Sequence, residues 1–180
     1  MEIGRAVCRS GGKAVGVGSG LATIEYLVSL IDGVNIIASD NFLDSFETER
    51  KSFLPVVKRE AADMVLSNPT ANCLLLVWPP LENPMAVEAL HAFQQKRNGL
   101  SRVVYWGEGG GGCHANDKFH EALEKNWTLE KKVPCVQRWC IKDLVWIYRS
   151  PDSPILDRKR KTAWLTDIQT TKIQSLLDKE

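Results

Sequence analysis

The stretch KAVGVGSG at residues 13–20, continued by LATIEYLVSLIDGVNIIASD to residue 40, decides the fold. Lys13 to Val17 is a short apolar run that enters glycines, so it predicts a strand running into a tight turn. Behind the turn, Leu21, Ile24, Leu27, Val28 and Ile31 recur at helical spacing over residues 20–31, so one face of that helix is buried. Asp32-Gly33 closes the helix. Val34 to Ser39 then reads as a second buried strand, ending at Asp40. Strand, helix and strand in this order form a parallel βαβ unit.

The same alternation continues downstream. Residues 41–72 read as one or two short helices carrying Phe42, Leu43, Phe46, Phe53 and Leu54. A brief strand at Pro55-Val56-Val57 and a helix from Glu60 to Leu66 follow. Cys73 to Trp78 (CLLLVW) has six apolar residues in a row, which implies burial on both faces in mid-sheet. Pro79-Pro80 stops it, because proline cannot donate to the ladder. Asn83-Pro84 starts a helix over 84–97, and Arg102 to Trp106 forms the next strand. Asn116 caps a helix over 117–126. In CVQRWCIKDLVWIY (135–148), two β-rich runs flank Lys142-Asp143 and predict a closing hairpin, its last strand antiparallel to the rest. The expected fold class is therefore α/β, a single doubly wound, mostly parallel sheet with an antiparallel C-terminal hairpin strand. Residues 1–150 form that domain, and 151–180 form a Pro-rich linker and an amphipathic helix over 162–178.

Composition excludes several classes. The chain has 180 residues, 44% hydrophobic and 25% charged, with 23 basic and 22 acidic side chains and a net charge of +1. That is the make-up of a globular domain and not of a disordered chain. No basic excess exists to neutralise many phosphates, so nucleic acid is not indicated as a partner. No apolar run approaches the ~20 residues needed to cross a bilayer. The five cysteines are irregularly spaced, and MEIGRAVCRSGG carries no signal-peptide pattern, so the reading is a cytoplasmic protein. The basic run Arg158-Lys159-Arg160-Lys161 reads as a solvated linker, with a nuclear-localisation signal as the alternative. Cys113, His114, Asp117 and His120 match no common zinc spacing, and no metal is assigned.

In an open parallel sheet, ligands bind beyond the carboxyl ends of the strands. Gly16, Gly18 and Gly20 let a ligand approach the backbone in front of a helix N-terminus. The dinucleotide fingerprint needs a third small residue at position 21, where Leu21 stands. The GxGxG turn, the acidic end of the second strand (Asp40), Asp63-Met64, and Trp78-Pro79-Pro80-Leu81 after the fourth strand follow one another in a recognisable order. In that order and in its hairpin ending, the chain resembles the class I S-adenosylmethionine-dependent methyltransferase superfamily over residues 12–149. The resemblance implies a seven-stranded sheet of the methyltransferase-like Rossmann type, S-adenosylmethionine as cofactor, and an acceptor substrate that the sequence does not identify. It implies further that the glycine turn lies under the amino-acid part of the cofactor and that Asp40 accepts from the ribose hydroxyls. Asn41 and Phe42 would flank the adenine, while Asp63 and the Met64 amide would hold its edge.

Three departures accompany the resemblance. Ala14 stands where the family carries an acidic residue two positions before the first glycine. Trp78 stands where the proline motif begins with Asp or Asn, so its candidate role is stacking on a planar substrate or on the sulfonium. Only 12 residues precede the first strand, so either the helix over 162–178 covers the cofactor or the site is open. The second glycine cluster, Gly107-Glu108-Gly109-Gly110-Gly111-Gly112, reads as a mobile loop over the site, with Glu108 as the candidate general base. The leading reading is a methyltransferase. The alternatives are a methyltransferase-like module that binds the cofactor without catalysis, and a nucleotide- or phosphosugar-binding Rossmann-like enzyme.

Overall fold

The computed structural model describes residues 2–41, 51–135 and 142–153. In chain order the elements are α1 (Glu2–Arg9), β1 (Lys13–Val17), α2 (Thr23–Ser29), β2 (Asn35–Asp40), β3 (Val56–Lys58) and α3 (Ala61–Leu66). They continue with β4 (Cys73–Val77), α4 (Met85–Gln95), β5 (Arg102–Gly107), α5 (Asp117–Asn126), β6 (Thr128–Pro134) and β7 (Leu144–Arg149). The strands make one seven-stranded sheet in the order β3-β2-β1-β4-β5-β7-β6. β1 to β5 run parallel, and β7 is antiparallel to both β5 and β6.

Alternation along the central strands builds a core on each face. Val15, Val17, Leu74, Leu76, Val103, Tyr105 and Tyr148 pack with α3, α4 and α5. Ala14, Cys73, Leu75, Val104, Val145 and Ile147 pack with α1 and α2 through Ile3, Ala6, Val7 and Val28. The sheet is therefore covered on both sides, as a parallel sheet requires.

Several expectations are corrected. The hairpin partner of β7 is Thr128–Pro134, not the run that begins at Cys135, and 136–141 lie outside the described residues. β6 escapes a hydrophobic reading because it is an edge strand with mostly exposed side chains and a register shift between Leu129 and Lys131. The second helix begins at Thr23, because Gly20 and Ala22 are left-handed, at φ of +52° and +55°. The expected helix over 162–178, the basic run over 158–161 and Phe42 lie outside the described residues. Among the described residues no helix is long and apolar enough to cross a membrane.

The helix α1 had no counterpart in the sequence reading. Its apolar stripe, Ile3, Ala6 and Val7, is buried against the sheet. It ends in a turn where the Gly12 amide donates to Val7 O at 2.9 Å and the Gly11 amide to Cys8 O at 3.0 Å. Gly12 has a φ of +79°, and a Cβ there would overlap the carbonyl oxygen of Gly33. Gly12→Ala should therefore cost about 2 kcal/mol or more. Urea unfolding checks it, and an unchanged midpoint would contradict the crowding at this turn.

Candidate functional site

Register places the candidate residues along the carboxyl edge of the sheet. Val17 pairs with Ser39 on one side and Leu76 on the other, Val77 pairs with Trp106, and Gly107 pairs with Leu144. Asp40, Gly18, Trp78, Glu108 and Asp143 thus follow one another on neighbouring strands, each pair of strands about 4.8 Å apart. The order reverses between β1 and β4, because β1 connects onward to β2 on one side while β3 crosses over to β4 on the other. Open α/β sheets bind ligands at such a switch point.

The glycine turn is tied to the end of β2 by three bonds. The Ser19 amide donates to Ser39 O at 3.0 Å, the Ser39 hydroxyl to Gly16 O at 3.0 Å, and the Gly20 amide to Asp40 Oδ2 at 2.7 Å. Gly18 and Gly20 have φ of +64° and +52°, which only glycine adopts without strain. Among the described residues, a Cβ at Gly20 would meet nothing within 4 Å. A Cβ at Gly18 would stand 2.7 Å from Cε of Met85, the first residue of α4. Asn41 donates its side-chain amide to Glu60 Oε1 at 2.5 Å, which joins the end of β2 to the start of α3.

Glu25 escaped the sequence reading. It lies in the first turn of α2, is only 2% exposed, and puts its carboxyl against the inside of the turn at Gly16. Burial pushes its pKa up; the Ser19 hydroxyl opposes that shift and the Asp40 charge adds to it. A glutamate in a helical first turn reads as a capping or dipole effect, so no local pattern distinguishes a buried one.

The structure does not bring Asp63 and Met64 to the edge. Asp63 sits exposed within α3, not at a strand end, and Met64 is 2% exposed in the core. The Met64 amide donates to Glu60 O at 2.9 Å within the helix, so it has no proton to offer an adenine. The strand that precedes them, β3, ends five residues before Asp63, at Lys58.

The loop after β5 is heavily bonded. The Glu108 carboxylate accepts from the Cys113 amide at 2.8 Å and the Lys142 amide at 2.9 Å. These two amides, Lys142 first, hold its pKa down. A carboxylate so engaged clasps the β5 loop to the residues that lead into β7. The Tyr105 hydroxyl donates to Glu108 O at 2.6 Å and the Trp146 indole to Gly107 O at 3.1 Å, so the glycine cluster has a bonded shape and not that of a free lid.

Trp78 stands at the end of β4 with φ of +48° and is 40% exposed. Its ring lies 5.2 Å from that of Trp106, tilted by 54°. Its indole N–H donates to Asp143 Oδ2 at 2.7 Å. Asp143, buried just before β7, and His114, after the glycine cluster, also stand at this corner.

With this geometry in place, the comparisons are specific about fold. No family model matches the chain, and no curated protein matches it. Solved structures do. A TehB-like SAM-dependent methyltransferase from Corynebacterium glutamicum superposes with a TM-score of 0.54 at 16% identity, over 82% of this chain and 86% of that one. The N-methyltransferase NodS from Bradyrhizobium japonicum gives 0.52 at 12% identity, over 83% and 95%. Magnesium protoporphyrin IX methyltransferase from Synechocystis, with bound SAM, gives 0.50 at 8% identity, over 82% and 81%. The chain has a class I methyltransferase-like fold, the architecture that the glycine turn and the closing hairpin led us to expect.

Proposed function

We propose that the chain is an S-adenosylmethionine-dependent methyltransferase. The observation that carries the proposal is the bond from the Gly20 amide to Asp40 Oδ2 at the switch point of the sheet. It joins a glycine turn, which lets a ligand lie on backbone, to a carboxylate that can accept from a ribose diol. The turn from Gly16 to Gly20 would carry the amino-acid part, Asp40 the ribose, and Asn41 one side of the adenine. The cofactor supplies an activated methyl group; the chain supplies orientation.

Calorimetric titration with S-adenosylmethionine and S-adenosylhomocysteine tests the proposal. Binding of both is expected, and no heat at millimolar ligand would overturn it. Asp40→Ala should weaken both by about 1–3 kcal/mol through the lost charged hydrogen bonds. An unchanged affinity in a folded variant would remove Asp40 from the ribose site. A second reading, a cofactor-binding module without catalysis, draws support from Trp78 standing in place of an acceptor-holding Asp or Asn. It predicts binding without turnover.

A further inference from the structure

We propose that Glu25 is the counter-charge for the sulfonium of S-adenosylmethionine and makes the chain prefer that cofactor over S-adenosylhomocysteine, an inference that rests on the methyltransferase reading. Glu25 belongs to α2 and is 2% exposed. Its Oε1 stands 2.6 Å, and the Ser19 hydroxyl oxygen 3.0 Å, from the point that a Cβ on Gly16 would occupy. The carboxyl therefore lies behind the glycine turn. Gly16, Gly18 and Gly20 carry no side chains, so main chain alone separates a ligand lying on the turn from the carboxyl. A charge at that separation and out of water is felt strongly, because neither solvent nor salt screens it well.

Among the described residues Glu25 has no ion-pair partner. Burial is the largest influence on its carboxyl and disfavours the charge. The Ser19 hydroxyl and the residue's own amide favour the charge, and Asp40 at the end of β2 opposes it. From the other side, α1 meets α2 with Ile3, Ala6 and Val7. The charged residues of α1 are engaged elsewhere: Arg5 with Glu2, Glu2 with Lys131, and Arg9 with Glu130. Across the turn, α4 presents Met85, whose Cε would stand 2.7 Å from a Cβ on Gly18. A buried carboxyl without a cation beside it is destabilising, and a cation seated on the turn would offset that cost.

The two ligands differ in charge where this carboxyl would act. S-adenosylmethionine carries a positive sulfur between its ribose and its amino-acid part, and S-adenosylhomocysteine carries a neutral thioether there. With the ribose at Asp40 and the amino-acid part on Gly16 to Gly20, that sulfur falls over the turn. The ammonium and carboxylate of the amino-acid part are common to both ligands and cancel in the comparison. An ionised Glu25 favours the sulfonium over the thioether, so it favours loading of fresh cofactor and release of the spent one. Burial keeps Glu25 protonated to higher pH than an ordinary carboxyl. A cation on the turn favours the ionised form, so binding of S-adenosylmethionine expels the proton. Affinity for it therefore rises with pH above the usual carboxylate range, and affinity for the thioether rises less.

Calorimetric titration of the full chain with both ligands tests this, in phosphate and in Tris, whose different ionisation heats report proton release. In wild type, S-adenosylmethionine should release more protons than S-adenosylhomocysteine. Its affinity relative to S-adenosylhomocysteine should rise between about pH 5 and about pH 8. Glu25→Gln keeps the shape without the charge. It should lower the affinity ratio of the two ligands about tenfold. It should also abolish the excess proton release and the pH dependence of the ratio. A side chain that only shaped the turn would shift both ligands together and leave the ratio where it was. Equal proton release by the two ligands in wild type, or an unchanged ratio in the folded variant, overturns the counter-charge. Should Glu25→Gln not fold, the wild-type proton balance decides alone. If both ligands bind and the ratio does not move, the inference about Glu25 fails by itself; if neither binds, the methyltransferase reading fails and the inference falls with it.

Discussion

Arg102→Met should destabilise the protein by about 3 kcal/mol while leaving cofactor affinity unchanged. Arg102 opens β5 and is 4% exposed. Its Nε donates to Glu130 Oε2 at 2.9 Å, and its Nη1 donates to the carbonyls of Arg9 at 3.1 Å and Leu100 at 3.3 Å. Arg9 O is among the last carbonyls of α1, which lack helical partners, so the guanidinium closes that helix. Glu130 is on β6, so the same side chain also binds the exposed edge strand to the sheet. Methionine matches the length of the stem but removes every donor. Glu130 keeps its 2.7 Å bond from Arg9, which limits the loss. For a chain of this size, about 3 kcal/mol corresponds to roughly 6–12 °C in Tm. Adding Glu130→Gln should cost less in the Met variant than in wild type, because the two residues share one interaction. Affinity is spared because Arg102 sits at the opposite end of β5 from Gly107, about 17 Å away at the usual strand rise. A Tm shift of a degree or less, or a loss of binding in the folded variant, would contradict this division between a stabilising end and a ligand-facing end.

That division also explains what could be read from sequence. β4 was legible because six consecutive apolar residues have no other home than mid-sheet, and each of Cys73, Leu74, Leu75 and Leu76 is indeed fully buried. The glycine turn was legible because positive φ at Gly18 and Gly20 constrains residue type at fixed spacing, and Asp40 was legible as the end of β2. Asn116 was legible as a cap, and its side chain accepts from the Phe119 amide at 3.0 Å. β6 was not, because Glu130 pairs with Arg9 of α1 and Arg102 of β5, and Lys131 with Glu2 of α1, and nothing local announces such pairs. Asp63 misled because an interval was read in place of an element. The short β3 leaves room for a helix start, and Asp63 satisfies that first turn as well as it would a strand end. The corner of Trp78, Asp143 and His114 joins three loops far apart in sequence, so only the sheet register could assemble it.

Gly16→Ala carries the other large expected effect, and it links the fold to the site. A Cβ there would stand 2.6 Å from Glu25 Oε1, 2.9 Å from Glu25 Cγ and 3.0 Å from Ser19 Oγ. Glu25 cannot swing into water without opening the turn, because it is 2% exposed. The substitution should cost about 1–3 kcal/mol as overpacking, and affinity for S-adenosylmethionine should fall with it, since the turn that yields is the one we propose to carry the cofactor. Gly16→Ala with Glu25→Ala should recover most of the loss, which would appear as a favourable coupling in the double-mutant cycle. Additive losses would place the strain elsewhere. The charge of Glu25 gives a second, independent handle. Burial raises its folded pKa, so the stability it contributes is present below the unfolded pKa and is lost as pH rises through the folded one. Glu25→Gln keeps the shape and removes the titration. Relative to wild type, that variant should gain stability as pH rises above the usual carboxylate range, where wild type must either ionise a buried carboxyl or hold its proton against the solvent. Denaturant midpoints measured across that range would decide it: a difference between the two proteins that does not change with pH would mean that the carboxyl is solvated in the native state, and the account of the turn as a closed backing for the ligand would fall with it.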